Sequence, residues 1–182
     1  MLAISSGYLY WANTGGRGGA GGDTIGRARL NGTGVDQRFI KTAQPNGPDA
    51  VVVGSGHIYW ANDYTIGRAS LNGTHVNQRF IAVPNGPKGV AGLAVNSRYI
   101  YWTDERGGEI GRAKLNGTDV SQRFIKGASI PTALGIDAQD LYWTNWGKDT
   151  IGRARLNGTA VRQRIIAIPG GSPNGVVVDP SR

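Results

Sequence analysis

A fourfold internal repeat constrains the fold of this chain more than any other feature of its sequence. The string Ile-Gly-Arg-Ala begins at four positions that are separated by 41, 44 and 41 residues, and Leu-Asn-Gly-Thr follows each copy. A Tyr-Trp pair precedes every copy, and a Gln-Arg pair follows every Asn-Gly. The four strings begin at Ile25, Ile66, Ile110 and Ile151. A period of this length is the signature of a repeat architecture, in which one supersecondary unit recurs along the chain.

Each copy has the pattern of four short β-strands. The segments are rich in β-branched and aromatic residues and are separated by turn signals, which favours strands over helices. In the third copy the predicted strands are Gly92–Asn96, Arg98–Thr103, Glu109–Leu115 and Ser121–Ile125. The Asn-Gly between the last two strands predicts a hairpin with a type I′ turn, in which both central residues have positive φ.

The second strand of each copy is apolar on both faces. In the second copy Ile58 and Trp60 point to one side, while Tyr59 and Ala61 point to the other. A sheet with two apolar faces must be covered on both sides. Four-stranded sheets of about 40 residues that need such cover are typical of the blades of a β-propeller.

The predicted fold is therefore all-β, a β-propeller built of four-stranded antiparallel blades. Leu2–Ser5 and residues 176–179 both align with the first strands of the complete copies, which predicts four repeats plus one extra inner strand. We expect a single propeller domain over residues 1–182. Its units are predicted at about 1–44, 45–86, 87–130 and 131–170, with the extra first strand in 171–182.

Three motifs carry a resemblance to a known family. The Tyr-Trp-Thr-Asp string at Tyr101–Asp104, the Ile-Gly-Arg-Ala-x-Leu-Asn-Gly-Thr segment and the Pro-x-Gly before the first strands resemble the YWTD repeat, also called the low-density lipoprotein receptor class B repeat. The resemblance covers essentially the whole chain. It implies a propeller, which has six blades in that family and is an extracellular part of receptors in its eukaryotic members.

This sequence departs from that pattern in several ways. It has four units, one complete Tyr-Trp-Thr-Asp, no Cys and no flanking module similar to epidermal growth factor. The near-identity of the copies resembles the bacterial stand-alone versions of the repeat. The resemblance favours an extracellular or cell-surface location, although the sequence itself leaves the compartment open.

The composition weighs against several classes of protein. Without Cys there is no disulfide framework, thiolate zinc site or cysteine nucleophile. The apolar runs fall far short of the ~20 residues of a membrane helix, so we predict no membrane span, and no signal peptide is recognisable. The two His, His57 and His75, sit at turns without metal-ligand spacing. We therefore expect a non-enzymatic protein with no catalytic residues, no metal and no cofactor.

The net charge of +8 raises the question of nucleic-acid binding. Eight of the 20 Lys and Arg are two repeated positions: Arg27, Arg68, Arg112 and Arg153, and Arg38, Arg79, Arg123 and Arg164. Repeated positions are spread over the units instead of forming one basic stripe. This distribution argues against nucleic acid as a partner, and an acidic polymer or anionic glycan is a better match.

Four of the five Trp share one strand position, and we predict that they form core between blades. They are Trp11, Trp60, Trp102 and Trp143. Trp146 has no counterpart in the other copies and lies in a loop. The Asn-Gly-Thr strings are formally N-glycosylation acceptors, but the turn geometry already explains them, and we interpret them as turns.

The candidate ligand-binding residues lie in loops, because rigid repeat scaffolds carry their functional residues there. In a propeller the loops from strand two to three and from strand four to one share one face. On this loop face we place Asn13, Asn62, Tyr64, Asp104, Arg106, Asn145, Trp146 and Lys148, together with the Gly-rich segment 14–22. The alternative is that these polar groups only tie adjacent loops together.

Three functions follow from this reading. The leading hypothesis is a binding or scaffold protein that recognises a protein or a glycan through the loop face. The second is a self-assembling structural protein, a homo-oligomer in which other chains complete the ring, because the outer sheet faces and strand edges need cover. The third is a lyase or lactonase like those on other propellers, which rests on analogy of fold alone.

Overall fold

The computed structural model describes residues 2–14, 22–42, 47–84 and 89–178. These residues form sixteen strands and one 3₁₀ turn, Trp146–Lys148. The first sheet contains β1 (Leu2–Ser5), β2 (Tyr8–Thr14), β3 (Asp23–Arg29) and β4 (Asp36–Lys41). The second contains β5 (Ala50–Gly54), β6 (His57–Ala61), β7 (Thr65–Ser70) and β8 (Asn77–Ala82). The third contains β9 (Val90–Val95), β10 (Tyr99–Asp104), β11 (Glu109–Lys114) and β12 (Ser121–Lys126). The fourth contains β13 (Pro131–Ile136), β14 (Asp140–Asn145), β15 (Thr150–Arg155) and β16 (Arg162–Ala167).

Each sheet is an antiparallel meander whose strands are paired in chain order. This confirms the predicted four-stranded blades, and we number them blades 1 to 4. In the third copy every strand boundary lies within two residues of its predicted position. The blades group into two compact units, Met1–Pro84 with blades 1 and 2, and Asn85–Arg182 with blades 3 and 4.

A glycine in the third strand of each blade leaves room for the Trp side chain of the second strand. Trp60 pairs directly with Gly67 across the β6–β7 ladder, and the same register recurs in the other blades. A Cβ atom on Gly67 would lie 2.1 Å from Cε2 of Trp60, closer than any carbon contact permits. The Gly of Ile-Gly-Arg-Ala is thus required for packing.

Each blade has two different faces. We call the face that carries the second-strand Trp the Trp face, and the opposite one, which carries the preceding Tyr, the Tyr face. In the first unit the Tyr face of blade 1 (Tyr10, Ile25) packs against the Trp face of blade 2 (Val51, Trp60). In the second unit the equivalent residues of blades 3 and 4 form the same cluster. Packing of a Tyr face on a Trp face is therefore the interface between successive blades within each unit.

A repeated Gln reinforces this interface. Gln78 Nε2 donates to the carbonyl of Lys41 at 2.8 Å, and Gln163 Nε2 donates to the carbonyl of Lys126 at 2.6 Å. Gln163 Oε1 also accepts a bond from Trp143 Nε1 at 3.2 Å. One side chain thus joins the buried indole of its own blade to the last strand of the preceding blade. Each such bond stabilises by about 0.5–1.5 kcal/mol.

The Asn-Gly hairpins form as predicted, but the predicted turn type is wrong. Gly32 N donates to Arg29 O and Arg29 N donates to Thr33 O, both at 2.9 Å, which defines a three-residue loop. Gly32 has φ +79, whereas Asn31 is outside the positive-φ region. This is a type I turn followed by a left-handed Gly. Asn31 Oδ1 accepts bonds from the Thr33 amide and hydroxyl, and this local bonding stabilises the turn that is seen.

The predicted extra strand is not formed in the part of it that the structure describes. Residues 171–178 adopt no regular structure, and residue 179 lies outside the described ranges. Val176 and Val178 nevertheless lie against Gly135 on the Tyr face of blade 4, and Thr132 Oγ1 donates to Pro173 O at 3.3 Å. The segment lies where a first strand would lie, and within the described ranges its backbone is not paired with a second strand.

Candidate functional site

The Asn residues at or next to the ends of the second strands are hydrogen-bonded within their own blades. Asn145 is buried, and its Nδ2 donates to Thr150 Oγ1 at 3.1 Å and to Gln163 O at 2.8 Å. Its Oδ1 accepts the amide of Ser129 at 2.9 Å. Asn13 and Asn62 bond to the equivalent Thr and Gln carbonyl of their own blades. These amides tie three strands together, and contact between them and a ligand stays a prediction.

Asp104 takes the same position in blade 3. It is buried, and its Oδ1 accepts the amide of Gly107 at 2.8 Å. A Cβ on Gly107 would lie 2.5 Å from the other carboxylate oxygen, so the turn is closed tightly around this group. The Asp of the complete Tyr-Trp-Thr-Asp thus stabilises the turn that directly follows it.

The other four candidates are exposed at loop tips. They are Tyr64 in the first unit and Arg106, Trp146 and Lys148 in the second. The segment 14–22 lies largely outside the described residues, so its predicted place on the loop face is not described.

Three segments of the second unit meet at one surface. The turn 105–108 reaches the segment 127–130, because a Cβ on Gly108 would lie 2.6 Å from Ala128 O. That segment in turn accepts two backbone bonds from the 3₁₀ turn: Trp146 N to Ile130 O and Gly147 N to Ser129 O, each 3.1 Å. We call residues 105–108, 127–130 and 146–149 the blade 3–4 loop surface. It brings Arg106, Trp146 and Lys148 onto contiguous segments.

Ile130 belongs to this surface and was missed from the sequence. It is 40% exposed, and Trp146, to which its carbonyl is bonded, is 47% exposed. Ile130 also has φ +49, and a β-branched residue pays about 1–2 kcal/mol for the left-handed region. Strain of this kind clusters at functional sites. The sequence signal was an apolar residue directly before Pro131, whereas the segments before β5 and β9 contain Pro-Asn-Gly.

Asp149 keeps the Trp146 turn in place. Its Oδ2 accepts the amide of Gly170 and its Oδ1 accepts the amide of Ser172, both at 3.0 Å. Ile168 N donates to the Asp149 carbonyl at 2.7 Å. Because these bonds fix the turn before any ligand arrives, little conformational entropy is left to lose on binding.

The repeated Trp position is core in three blades. Trp60, Trp102 and Trp143 are completely buried, whereas Trp11 is only partly buried. The first repeated Arg also lies within the blades. Arg112 stacks on the Tyr99 and Phe124 rings at 4.4 and 4.0 Å and donates to Leu156 O. Arg27 is held similarly between Tyr8 and Phe39, and Arg68 lies over Phe80. These guanidinium groups are occupied by cation–π contacts instead of lining a groove for phosphates.

Both His lie at turns at the other end of blade 2 from its loop face. His57 Nδ1 is bonded to Ser55 O at 2.9 Å, and His75 Nδ1 lies 2.9 Å from Thr74 Oγ1. In the ranges that the structure describes, no three His, Cys, Asp or Glu side chains are grouped as metal ligands would be. No helix among the described residues has the length and hydropathy for a membrane span.

Comparison with known proteins identifies one repeat of the chain. Residues 139–180 match the model of the low-density lipoprotein receptor repeat class B. This segment contains the second to fourth strands of blade 4, whose motifs recur in the other three blades. Residues 139–180 are thus a YWTD repeat, and the other three blades carry the same motifs. No curated protein matches it.

Solved structures share the architecture of this chain at low identity. The nidogen/laminin complex contains a chain with TM-score 0.73 and 18% identity; the match covers 95% of the present chain and 64% of the other. A virginiamycin B lyase from Staphylococcus aureus gives TM-score 0.68 and 22% identity, covering 94% and 56%. The computationally designed Ika4 protein gives TM-score 0.60 and 14% identity, covering 85% and 88%. The chain thus spans less than two thirds of the two natural structures, and these similarities support its fold.

Proposed function

We propose that this chain is a non-enzymatic binding protein that recognises a protein ligand through the blade 3–4 loop surface. The observation that carries the proposal is the exposed pair of Trp146 and Ile130 on segments that are fixed by backbone hydrogen bonds. A large aromatic side chain on a preorganised surface is the usual anchor of a protein interface.

The chemistry of the surface favours an acidic protein segment. Its exposed side chains are Ile130 and Trp146, which are apolar, and Arg106 and Lys148, which are cationic, whereas its two carboxylates, Glu105 and Asp149, are partly buried. The indole, guanidinium and ammonium groups donate hydrogen bonds but accept none. A carboxylate beside an apolar residue matches such a surface, whereas a sugar hydroxyl also requires acceptors. The similarity to a chain of the nidogen/laminin complex, which is an assembly of two proteins, is consistent with this function.

Selection from a phage-displayed peptide library tests the proposal. We expect enrichment of peptides that combine acidic and apolar residues, and their affinity can be measured by calorimetry. Trp146→Ala should weaken binding by about 30-fold, the effect of losing a hot-spot residue worth 2 kcal/mol. Tyr64→Ala is the matched control, because Tyr64 is an exposed aromatic residue in the corresponding loop of blade 2. It should leave the affinity unchanged.

Three results would overturn the proposal. If Trp146→Ala binds the selected peptides as well as the wild type does, the ligand does not bind at the blade 3–4 loop surface. If a glycan array gives binding that depends on Trp146 and the peptide library gives none, the ligand is a glycan. If the chain converts quinupristin, the compound present in one related lyase structure, the protein is an enzyme.

A further inference from the structure

Among the described residues, two blade faces carry large apolar side chains that are exposed. On the Trp face of blade 1, Leu2 is 56% exposed, whereas Val51 at the same position of blade 2 is 0% exposed. On the Tyr face of blade 4, Ile166 is 49% exposed, whereas Ile40 at the same position of blade 1 is 2% exposed. Ile4 on the first face and Ile165 on blade 4 are exposed as well. Clusters of large apolar side chains on a soluble protein mark interaction surfaces.

The molecule itself shows what covers each kind of face. In both units a Tyr face packs on a Trp face, through the same residue positions. The free Trp face of blade 1 and the free Tyr face of blade 4 are thus the two halves of an interface that occurs twice within the chain. We propose that a second copy of this chain docks head to tail, with the Tyr face of blade 4 of one copy on the Trp face of blade 1 of the other.

The tail of the chain shows that the Tyr face of blade 4 accepts a strand of this kind. Val176 and Val178 align with Val51 and Val53 of β5, and they lie against Gly135 as a first strand would. They do so without pairing to another strand. In the docked pair, β1 of the second copy would replace Val176 and Val178 on the Tyr face of blade 4. Because β1 is part of a complete four-stranded blade, it would bury far more apolar surface than the tail does. Residues 173–178 must move aside for docking.

A hydrogen bond also fits the docked arrangement. Within the units, the repeated Gln donates to a carbonyl near the end of the preceding blade, as Gln78 does to Lys41. Gln37 holds the equivalent position in blade 1, and its Oε1 accepts from Trp11 Nε1 at 3.1 Å, as Gln163 does from Trp143. In the docked pair Gln37 Nε2 of one copy donates to Ala167 O of the other.

An interface between two different surfaces leaves one half free at each end. Head-to-tail docking therefore continues until the copies close a ring or form a filament. This association involves neither Trp146 nor Ile130, so it succeeds or fails independently of the function proposed above.

Solution mass decides the proposal. We expect sedimentation or light scattering to show concentration-dependent assembly of the wild type. Leu2→Asp and Ile166→Asp should each abolish it, while Val177→Asp, an exposed apolar position off both faces, should not. Mixing the Leu2→Asp and Ile166→Asp variants should restore one intact interface and give a dimer that grows no further. Deleting residues 171–182 should strengthen assembly, because the tail no longer competes for the face.

Cross-linking supplies a test that does not depend on disruptive variants. The chain has no Cys, so Gln37→Cys and Ala167→Cys can be introduced singly, in separate chains. A short bis-maleimide should join the two variants when they are mixed. A protein that stays monomeric with and without the tail, or a cross-link that forms only within one chain carrying both substitutions, would overturn the proposal.

Discussion

Replacing Gly67 by Ala tests the account of how each blade is packed. The residue is in the middle of β7 and lies opposite Trp60, whose indole is completely buried. The new Cβ would lie 2.1 Å from Cε2, 2.3 Å from Nε1 and 2.4 Å from Cζ2 of that ring. The optimal separation of nonbonded carbon atoms is about 3.5–4.0 Å, so the ring or the strand must move by more than about 1 Å.

The expected loss of stability follows from two opposing effects. Crowding a packed core by one methyl group costs about 1–3 kcal/mol. Gly67 is not in the positive-φ region, so Ala by itself would stabilise by about 0.4–1 kcal/mol through the unfolded chain. We expect a net destabilisation of about 1–2 kcal/mol. At roughly 2–4 °C per kcal/mol for a chain of this size, Tm should fall by about 2–8 °C.

Gly26→Ala is the matched control. Its Cβ would meet Trp11 at a similar distance, 2.3 Å, but Trp11 is only partly buried and has room to swing outward. Urea unfolding followed by tryptophan fluorescence, at a concentration where the chain is monomeric, should place this variant within about 0.5 kcal/mol of the wild type. Equal losses for the two variants, or a gain of stability for Gly67→Ala, would refute the packing argument.

Two further predictions concern a carboxylate and a turn. Burial alone would raise the pKa of Asp137, but hydrogen bonds from the amides of residues 139 and 140 and from Tyr142 OH outweigh it and hold the pKa below 3.8. Since the folded-state pKa is the lower one, this stabilisation is present above 3.8 and disappears as the pH falls through the folded-state pKa. Asp137→Asn should therefore be less stable than the wild type at neutral pH, and this difference in stability should shrink in acid. Urea unfolding midpoints across the pH range measure the difference. Gly32→Ala and Gly158→Ala should each lose about 1–2 kcal/mol, because both residues have positive φ. Only Gly158 faces a ring, Phe124 at 2.8 Å, so its thermal midpoint should fall further.

The blades could be predicted because four copies repeat the same evidence. One Asn-Gly between two strands does not distinguish a two-residue turn from a three-residue turn. The turn that forms is stabilised by the Thr33 amide and hydroxyl, which both donate to Asn31 Oδ1, and both turn types are compatible with that sequence. The hairpin was thus predictable, and its turn type was not.

The position of the loop face followed from strand order, but the exposure of its residues did not. Asn145 is polar and ends a strand, which is typical of a ligand-binding residue. Its partner Gln163 O comes from the fourth strand of the blade, so its burial depends on a contact between distant residues. Ile130 was not predicted as a surface residue, because an apolar residue is usually assigned to the core. In the structure a backbone with φ +49 places it at the surface.

Identical motifs also differ in burial according to what lies next to them. Trp11 and Trp60 occupy the same position of the same repeat, yet Trp60 is fully buried and Trp11 is not. The difference arises from the neighbouring blade and not from any residue of the repeat itself. The sequence of a repeat therefore predicts the fold of one blade, whereas the exposure of its side chains depends on which blades lie next to it.

The two-faced blade has a consequence for how such a chain can change its length. Each unit shows that a blade recognises its neighbour by the same Tyr-face and Trp-face residues, so a duplicated blade meets a compatible surface on both sides. Its stability is then approximately its own contribution plus one interface on each side. Gain or loss of one whole repeat would therefore leave every remaining interface of this kind chemically intact. A change inside a blade is constrained differently, because the Trp and the Gly opposite it have to change together.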